Sequence, residues 1–290
     1  MDLRAIFMGL AFSLMWSSAF ATARIIVAAA PPLAALSLRF LISGVTAVLV
    51  ARMLGQSWRV SWQQARSVVI FGLCQNALYL GLNFTALQWV EASLASIIAS
   101  SMPLIVALLG WGLRGEKVSL TGLLGLFMGF GGVALIMGGR VNGGADPVGV
   151  LLCLAGATAL AVATMTVRAA SAGGNLLMIV GLQMLVGSLA LGVVSAVSET
   201  HVVQLGPSLV LAFFYQVFVP GLAATVLWFA LVGRVGAVKA SAFHFLNPFF
   251  GVVIAALLLG EKIGLLDMIG VAIAAAGILA VQLSRMKAPA

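Results

Sequence analysis

Residues 114–122 read RGEKVSLTG and residues 259–267 read LGEKIGLLD. Each Gly-Glu-Lys closes a long apolar run, in a chain where only 8% of residues carry charge. In the register that lays Gly115 on Gly260, Ala95-Ser96 falls on Ala240-Ser241 and Pro103 on Pro248. Gly125 falls on Gly270, Gly132 on Gly277 and Arg140 on Arg285. Ordered matches of this kind, without a gap, point to a duplication. The glycines suit the left-handed position that ends a helix. The Glu and Lys then lie in a tight turn, a structural role that assigns neither Glu any chemistry of its own.

The rest of the composition says where such a chain lives. Of 290 residues, 63% are hydrophobic, and the mean hydropathy is +1.20. A soluble protein of this length has about 25% charged residues, so too little polar surface exists to face water. Cys74 and Cys153 sit singly in apolar runs and make neither a disulfide framework nor a metal site. The formal charge of +8 is scattered through short gaps, as membrane topology requires, and argues against nucleic acid.

A spanning helix needs about 20 mostly apolar residues. Ten candidate spans follow, at residues 5–27, 33–51, 67–87, 92–112, 118–137, 148–167, 175–197, 208–231, 236–259 and 264–283. A cleaved signal peptide is the alternative for the first stretch. Against it, the apolar run continues to Ala30, Trp16-Ser17-Ser18 interrupts its middle, and the pairing of spans needs it. With the N-terminus inside, the inner segments hold Arg4, Arg52, Arg59, Arg66, Arg114, Lys117, Arg168, Arg234, Lys239, Arg285 and Lys287. The outer ones hold Arg24, Arg140 and Lys262. This bias places both termini in the cytoplasm. Arg39 is left inside the second span.

The duplication divides the chain into residues 1–140 and 141–290, with five spans each. Five is odd, so the second half is inverted relative to the first. The expected fold is an all-α membrane protein of ten transmembrane helices in two inverted five-helix repeats. Such a repeat supports two packings, one open to each side, and is the basis of alternating access.

Here the chain resembles the EamA domain of the drug/metabolite transporter superfamily. Each half ends in "P…GE" and a glycine-spaced last helix, "MWSSAFATAR" resembles the family's first-helix pattern, and "SLRFLISG" resembles its Arg-Phe motif. The resemblance covers the whole chain and is strongest to ten-helix exporters of aromatic and other amino acids. It implies efflux from the cytoplasm, and with it the bacterial inner membrane.

Transporter sites lie near the midplane on interrupted helices. Pro103, Pro220 and Pro248 each fall inside a span, where a proline frees the carbonyl four residues back: those of Ala99, Gln216 and His244. A plain kink satisfied by neighbours is the alternative. Gln75, Tyr79 and Asn83 recur every fourth residue and so share a helix face. Trp16, Ser100, Trp228, His244 and Asn247 complete the candidate substrate-binding set, as part of a cavity between the halves. For each of these, helix-to-helix bonding is the competing role. Arg39 is a structural or gating candidate, either pairing with a carboxylate or a helix C-terminus or extending to the outer interface.

No Asp or Glu lies mid-span, whereas the superfamily's small four-helix cation pumps carry one in their first helix. A dedicated cationic-drug antiporter is therefore disfavoured. The sequence lacks G-x4-G-K-[ST], so ATP is not the direct energy source. No cofactor is expected. The expected partners are membrane lipid and a small solute, with a monomer sufficient. The leading reading is a secondary exporter of small neutral or zwitterionic metabolites, amino acids foremost. The alternatives are a broad exporter of drugs or toxic metabolites and, less favoured, an intramembrane enzyme or receptor.

Overall fold

The computed structural model describes residues 2–115, 119–142, 145–166, 175–236, 240 and 242–287. These residues form helices and connecting turns, with no strand among them. Nine helices among them are long and apolar enough to cross a membrane. They are Leu3–Val27, Pro32–Met53, Trp62–Ala86, Ala92–Leu113, Leu120–Gly139, Pro147–Met165, Leu176–Ser198, Pro207–Val235 and Leu265–Ser284. A shorter apolar helix, Phe243–Leu259, fills the place of the ninth expected span. The third span begins at Trp62 rather than residue 67, because Ser61 and Gln64 form a reciprocal capping box there. In lipid this architecture satisfies backbone polar groups within each segment.

Both Gly-Glu-Lys glycines end helices in the left-handed region, Gly115 at φ 64° and Gly260 at φ 67°. Glu116 and Lys117 lie outside the described residues, as do Arg168 and Lys239.

The repeat register holds along the chain. Laid on its counterpart, the fifth helix Leu120–Asn142 covers the tenth, Leu265–Lys287, from end to end. Packing obeys the same exchange. The second helix packs most extensively on the seventh and the fifth on the tenth, while the first–eighth contact mirrors that of the sixth with the third. Glycines set the approach of the two principal seams. A Cβ on Gly277 would overlap the Gly129 backbone nitrogen, and one on Gly181 would meet the Gly44 carbonyl at 2.9 Å. Small residues let membrane helices associate through backbone contact, where lipid supplies no hydrophobic drive.

The helix ends are clamped across the repeats. Glu199, after the seventh helix, accepts from Leu33 N (2.8 Å) and Ala34 N (2.9 Å) at the start of the second. Reciprocally, Gln56, after the second helix, accepts from Met178 N (3.0 Å) in the first turn of the seventh. Glu261 of the second Gly-Glu-Lys accepts from Ala92 N (2.7 Å) and Ser93 N (3.0 Å). The tripeptide's carboxylate thus caps a distant helix N-terminus, where the helix dipole favours negative charge.

Two helices depart from α geometry at matching positions. The third contains a π segment at Gly72–Tyr79, and the eighth one at Val217–Ala223. Pro220 accounts for the second. In the repeat register its place in the third helix is taken by Gln75.

The other prolines do not lie inside continuous helices. The fourth span breaks at Ser101, and Pro103 sits in the first turn of the segment Met102–Arg114. Pro248 likewise opens Asn247–Leu259, after a 3₁₀ turn at Ala242–Leu246. A proline in the first helical turn lacks only an N–H that has no partner anyway. Pro103 and Pro248 therefore mark breaks between short segments rather than kinks with freed carbonyls.

Candidate functional site

A cavity lies where the first, second, third and eighth helices meet. Trp16, Ala19, Phe20 and Ala23 line it from the first helix, Arg39 from the second and Pro220 from the eighth. Tyr79, Leu80, Asn83, Phe84 and Leu87 close it from the third helix and the turn that follows. As packed here it holds about 30 Å³, room for about one or two waters, so a solute-sized site forms only when the lining helices move apart. None of the lining residues is acidic.

Arg39 is buried, 5% exposed, rather than extended into solvent. Its Nε donates to the Gln216 carbonyl at 3.1 Å, the acceptor that Pro220 frees at the end of the segment Pro207–Gln216. The second helix adds Ser43, whose hydroxyl donates to the Val217 carbonyl at 3.3 Å. A Cβ on Gly221 would meet the Gln216 carbonyl at 2.8 Å and the Ser43 hydroxyl at 3.2 Å, so the absence of a side chain there opens the approach. The guanidinium carbon stands 5.2 Å from the Phe40 ring centroid, and Nη1 has no hydrogen-bond partner. The Gln216 side chain donates to the Ala19 carbonyl (2.6 Å) and to Thr22 Oγ1 (2.8 Å), tying the eighth helix to the first.

Tyr79 and Asn83 reach the cavity, but Gln75 does not line it. The π segment explains the difference: its wider turn displaces the i, i+4 register that would put Gln75 with Tyr79. Asn83 Nδ2 donates to the Tyr79 carbonyl at 2.8 Å, and its Oδ1 is buried without a partner.

Trp16 also belongs to a second, aromatic cluster with Phe12, Trp228 and His244. Trp228 and His244 centroids are 5.2 Å apart, and Phe12 lies 4.7 Å from Trp228 and 5.5 Å from His244. Asn247 Nδ2 stands 2.9 Å from His244 Nδ1. The Asn247 carbonyl accepts from Ser17 at 3.3 Å, and the Phe243 carbonyl accepts from Ser13 at 3.0 Å. These bonds stitch the first helix to the ninth. Ser100 donates within its own helix, to the Ser96 carbonyl at 2.6 Å.

The structure thus gathers Trp16, Arg39, Tyr79, Asn83 and Pro220 at one cavity. It gathers Trp228, His244 and Asn247 beside it, and leaves Gln75, Ser100, Pro103 and Pro248 outside its lining. Sequence reasoning missed Phe20, Phe84 and Leu87, whose apolar character in an apolar chain carries no signal. It also missed Thr22 and Tyr215. Tyr215 OH stands 2.8 Å from Ser18 Oγ, and the small polar run Ser17-Ser18…Thr22 on the first helix was the available pointer.

Among the described residues no group of three or more His, Cys, Asp or Glu side chains stands close enough to hold a metal.

The same chain has recognisable relatives. It is 28% identical over 260 residues to the uncharacterized transporter YvbV of Bacillus subtilis (strain 168), covering 87% of this chain and 83% of that one. It is 26% identical over 277 residues to an uncharacterized transporter of Synechocystis sp., covering 89% and 83%. A crystal structure with 21% identity superposes over 99% of this chain and 100% of that one, with a TM-score of 0.70, and so shares the fold. The pattern of the EamA-like transporter family matches twice, over residues 3–138 and 147–283. Five helices per match, related helices packed in mirrored pairs and both matches in one chain make it an integral membrane protein of two repeats, and it belongs to the EamA-like transporter family.

Proposed function

We propose that this transporter exports small neutral or zwitterionic metabolites, amino acids with apolar or aromatic side chains foremost, by alternating access without ATP. The observation that carries the reading is the lining of this cavity. Trp16, Phe20, Phe84 and Leu87 supply apolar walls, while Tyr79, Asn83 and Arg39 supply a few polar groups to orient a solute. It lies among helices of both halves, where rocking of one repeat against the other would expose it to each side in turn.

The charge bias supports cytoplasmic termini, and the resemblance to ten-helix exporters supports the bacterial inner membrane and outward transport. The chain acts as a carrier rather than an enzyme, with membrane lipid and the solute as its partners and a monomer sufficient for the cycle. A broad exporter of drugs or toxic metabolites is the competing reading. The lack of an acidic residue in the cavity lining counts against lipophilic cations, which need a buried counter-charge.

Counterflow in proteoliposomes across labelled amino acids and cations, with and without a pH gradient, tests the reading. Amino-acid exchange that persists when the gradient is collapsed is expected. Exchange of cations alone would overturn it.

A further inference from the structure

A guanidinium in a membrane interior is costly unless its charge is compensated. Removal from water leaves a penalty of several kcal/mol per ion in real proteins. Arg39 is 5% exposed, and no Asp or Glu among the described residues pairs with it. Its one protein hydrogen bond runs from Nε to a neutral carbonyl, and Nη1 donates to nothing. The side chain lines the cavity, so its uncompensated charge borders a space that a solute would occupy once the surrounding helices part.

The remaining lining narrows the choice of anion. Trp16, Phe20, Phe84 and Leu87 are apolar, and the polar side chains beside them are the neutral Tyr79 and Asn83. A dianion such as phosphate would keep an unneutralised charge against these walls. A monoanionic carboxylate on an apolar body matches both features, because it neutralises one guanidinium and fills the aromatic end. Carboxylate and guanidinium also form the stronger, charge-assisted class of hydrogen bond. An ammonium group meets no acidic partner in the lining. Asn83 Oδ1, buried without a partner, is a neutral acceptor.

We infer that Arg39 is the carboxylate-binding residue of the cavity, and that the carboxylate rather than the amino group is the feature a substrate must carry. Apolar monocarboxylates lacking an amine then bind as well as the corresponding amino acids. The assignment takes the cavity to be the substrate site proposed above, and an equilibrium binding measurement separates the two.

Thermal unfolding of the purified full-length protein is measured with L-phenylalanine, 3-phenylpropanoate, L-phenylalaninamide or inorganic phosphate at equal concentration. The two carboxylates should raise the Tm saturably and with comparable affinity, while the amide and phosphate should not. Arg39→Gln should weaken both carboxylates by about tenfold or more, since hydrogen bonds to charged groups are worth about 1.5–3 kcal/mol. Arg39→Lys, which keeps the charge, should retain part of the effect. If Arg39→Gln does not fold, the wild-type ligand series still decides. Equal stabilisation by the amide, saturable stabilisation by phosphate, or no shift with either carboxylate overturns the assignment. So does unchanged carboxylate affinity in folded Arg39→Gln. Carboxylate binding without counterflow upholds Arg39 and sinks the export reading alone.

Discussion

The third and eighth helices are counterparts in the repeat, and both carry a π segment at the same register. They differ in what surrounds it. Around the eighth, Pro220 frees the Gln216 carbonyl, and Arg39 and Ser43 of the second helix supply the donors. Around the third, the direction reverses: Asn76, within the π segment, donates its side chain to the Gln183 carbonyl of the seventh helix at 2.9 Å. Arg39 itself is mirrored by Met184, Trp16 by Ala161 and Tyr79 by Ala224. Duplication preserved helix lengths, seams and clamps, while the charged cavity survives in one copy. Scaffold and site therefore answer to different constraints. Backbone contacts must fit wherever the repeat recurs, whereas a single solute needs a single cation.

The largest effect should come from the shared scaffold. Gly277→Leu places a side chain where the Gly129 backbone already stands and should prevent accumulation of folded protein, measured by size-exclusion chromatography after extraction. Gly181→Ala, in the second seam, should only lower the Tm, in line with the ~1–3 kcal/mol typical of overpacking. Equal tolerance at the two glycines would break the picture of close backbone seams.

Arg39→Met, which installs the mirror residue, should separate site from scaffold. Replacing a buried charge by an apolar side chain is often neutral for stability, so the Tm should hold while amino-acid counterflow falls about tenfold or more. A matching fall in Tm would make Arg39 a structural residue.

Much of this division was legible in the sequence. Ten spans, the inversion and the glycine helix ends follow from hydropathy, an odd span count and the repeated tripeptide. Pro220 pointed to the Gln216 carbonyl because a proline's missing bond has a fixed address. The π segment of the third helix contains no proline, so Gln75 was grouped with Tyr79 on an α-helical count that does not apply there. Pro103 and Pro248 read as mid-span kinks because the segments on either side of Ser101 and Leu246 are both apolar and no charged residue marks the break. The capping role of Glu261 depends on a helix start far away in sequence, which composition cannot supply.

Smaller effects should sharpen the comparison of clamps. Glu199→Gln makes the clamp on the second helix chemically like Gln56 on the seventh. It should cost about 0.3–1 kcal/mol of stability, the usual worth of a charge at a helix N-terminus, read from denaturant unfolding in detergent. No change would mean that the amide caps as well as the carboxylate.

The smallest effect belongs to Asp2. It accepts from Ala5 N at 3.1 Å and from Arg234 Nε at 2.9 Å, joining the start of the first helix to the end of the eighth. The hydrogen bond from Arg234 holds its carboxyl at about 2, below the ordinary 3.8. A depressed carboxylate pKa gives stability that is present above the unfolded value and lost as pH falls through the folded one. The Tm difference between wild type and Asp2→Asn should therefore stay constant from pH 5 to 8 and close only below 3.8, toward 2. A difference that varies between pH 5 and 8 would assign it to another group.

Limiting-substrate counterflow of labelled L-phenylalanine by Tyr79→Ala and Asn247→Ala tests the placement of the site most directly. Tyr79 lines the cavity, whereas the Asn247 side chain lies beside it against His244 and only its backbone carbonyl meets Ser17 of the first helix. Tyr79→Ala should reduce exchange about three- to tenfold, the loss of one oriented hydrogen bond or its packing equivalent, with normal membrane insertion. Asn247→Ala should retain exchange in proportion to the protein that folds. Wild-type exchange by a normally inserted Tyr79→Ala would contradict the account and move the site away from this cavity.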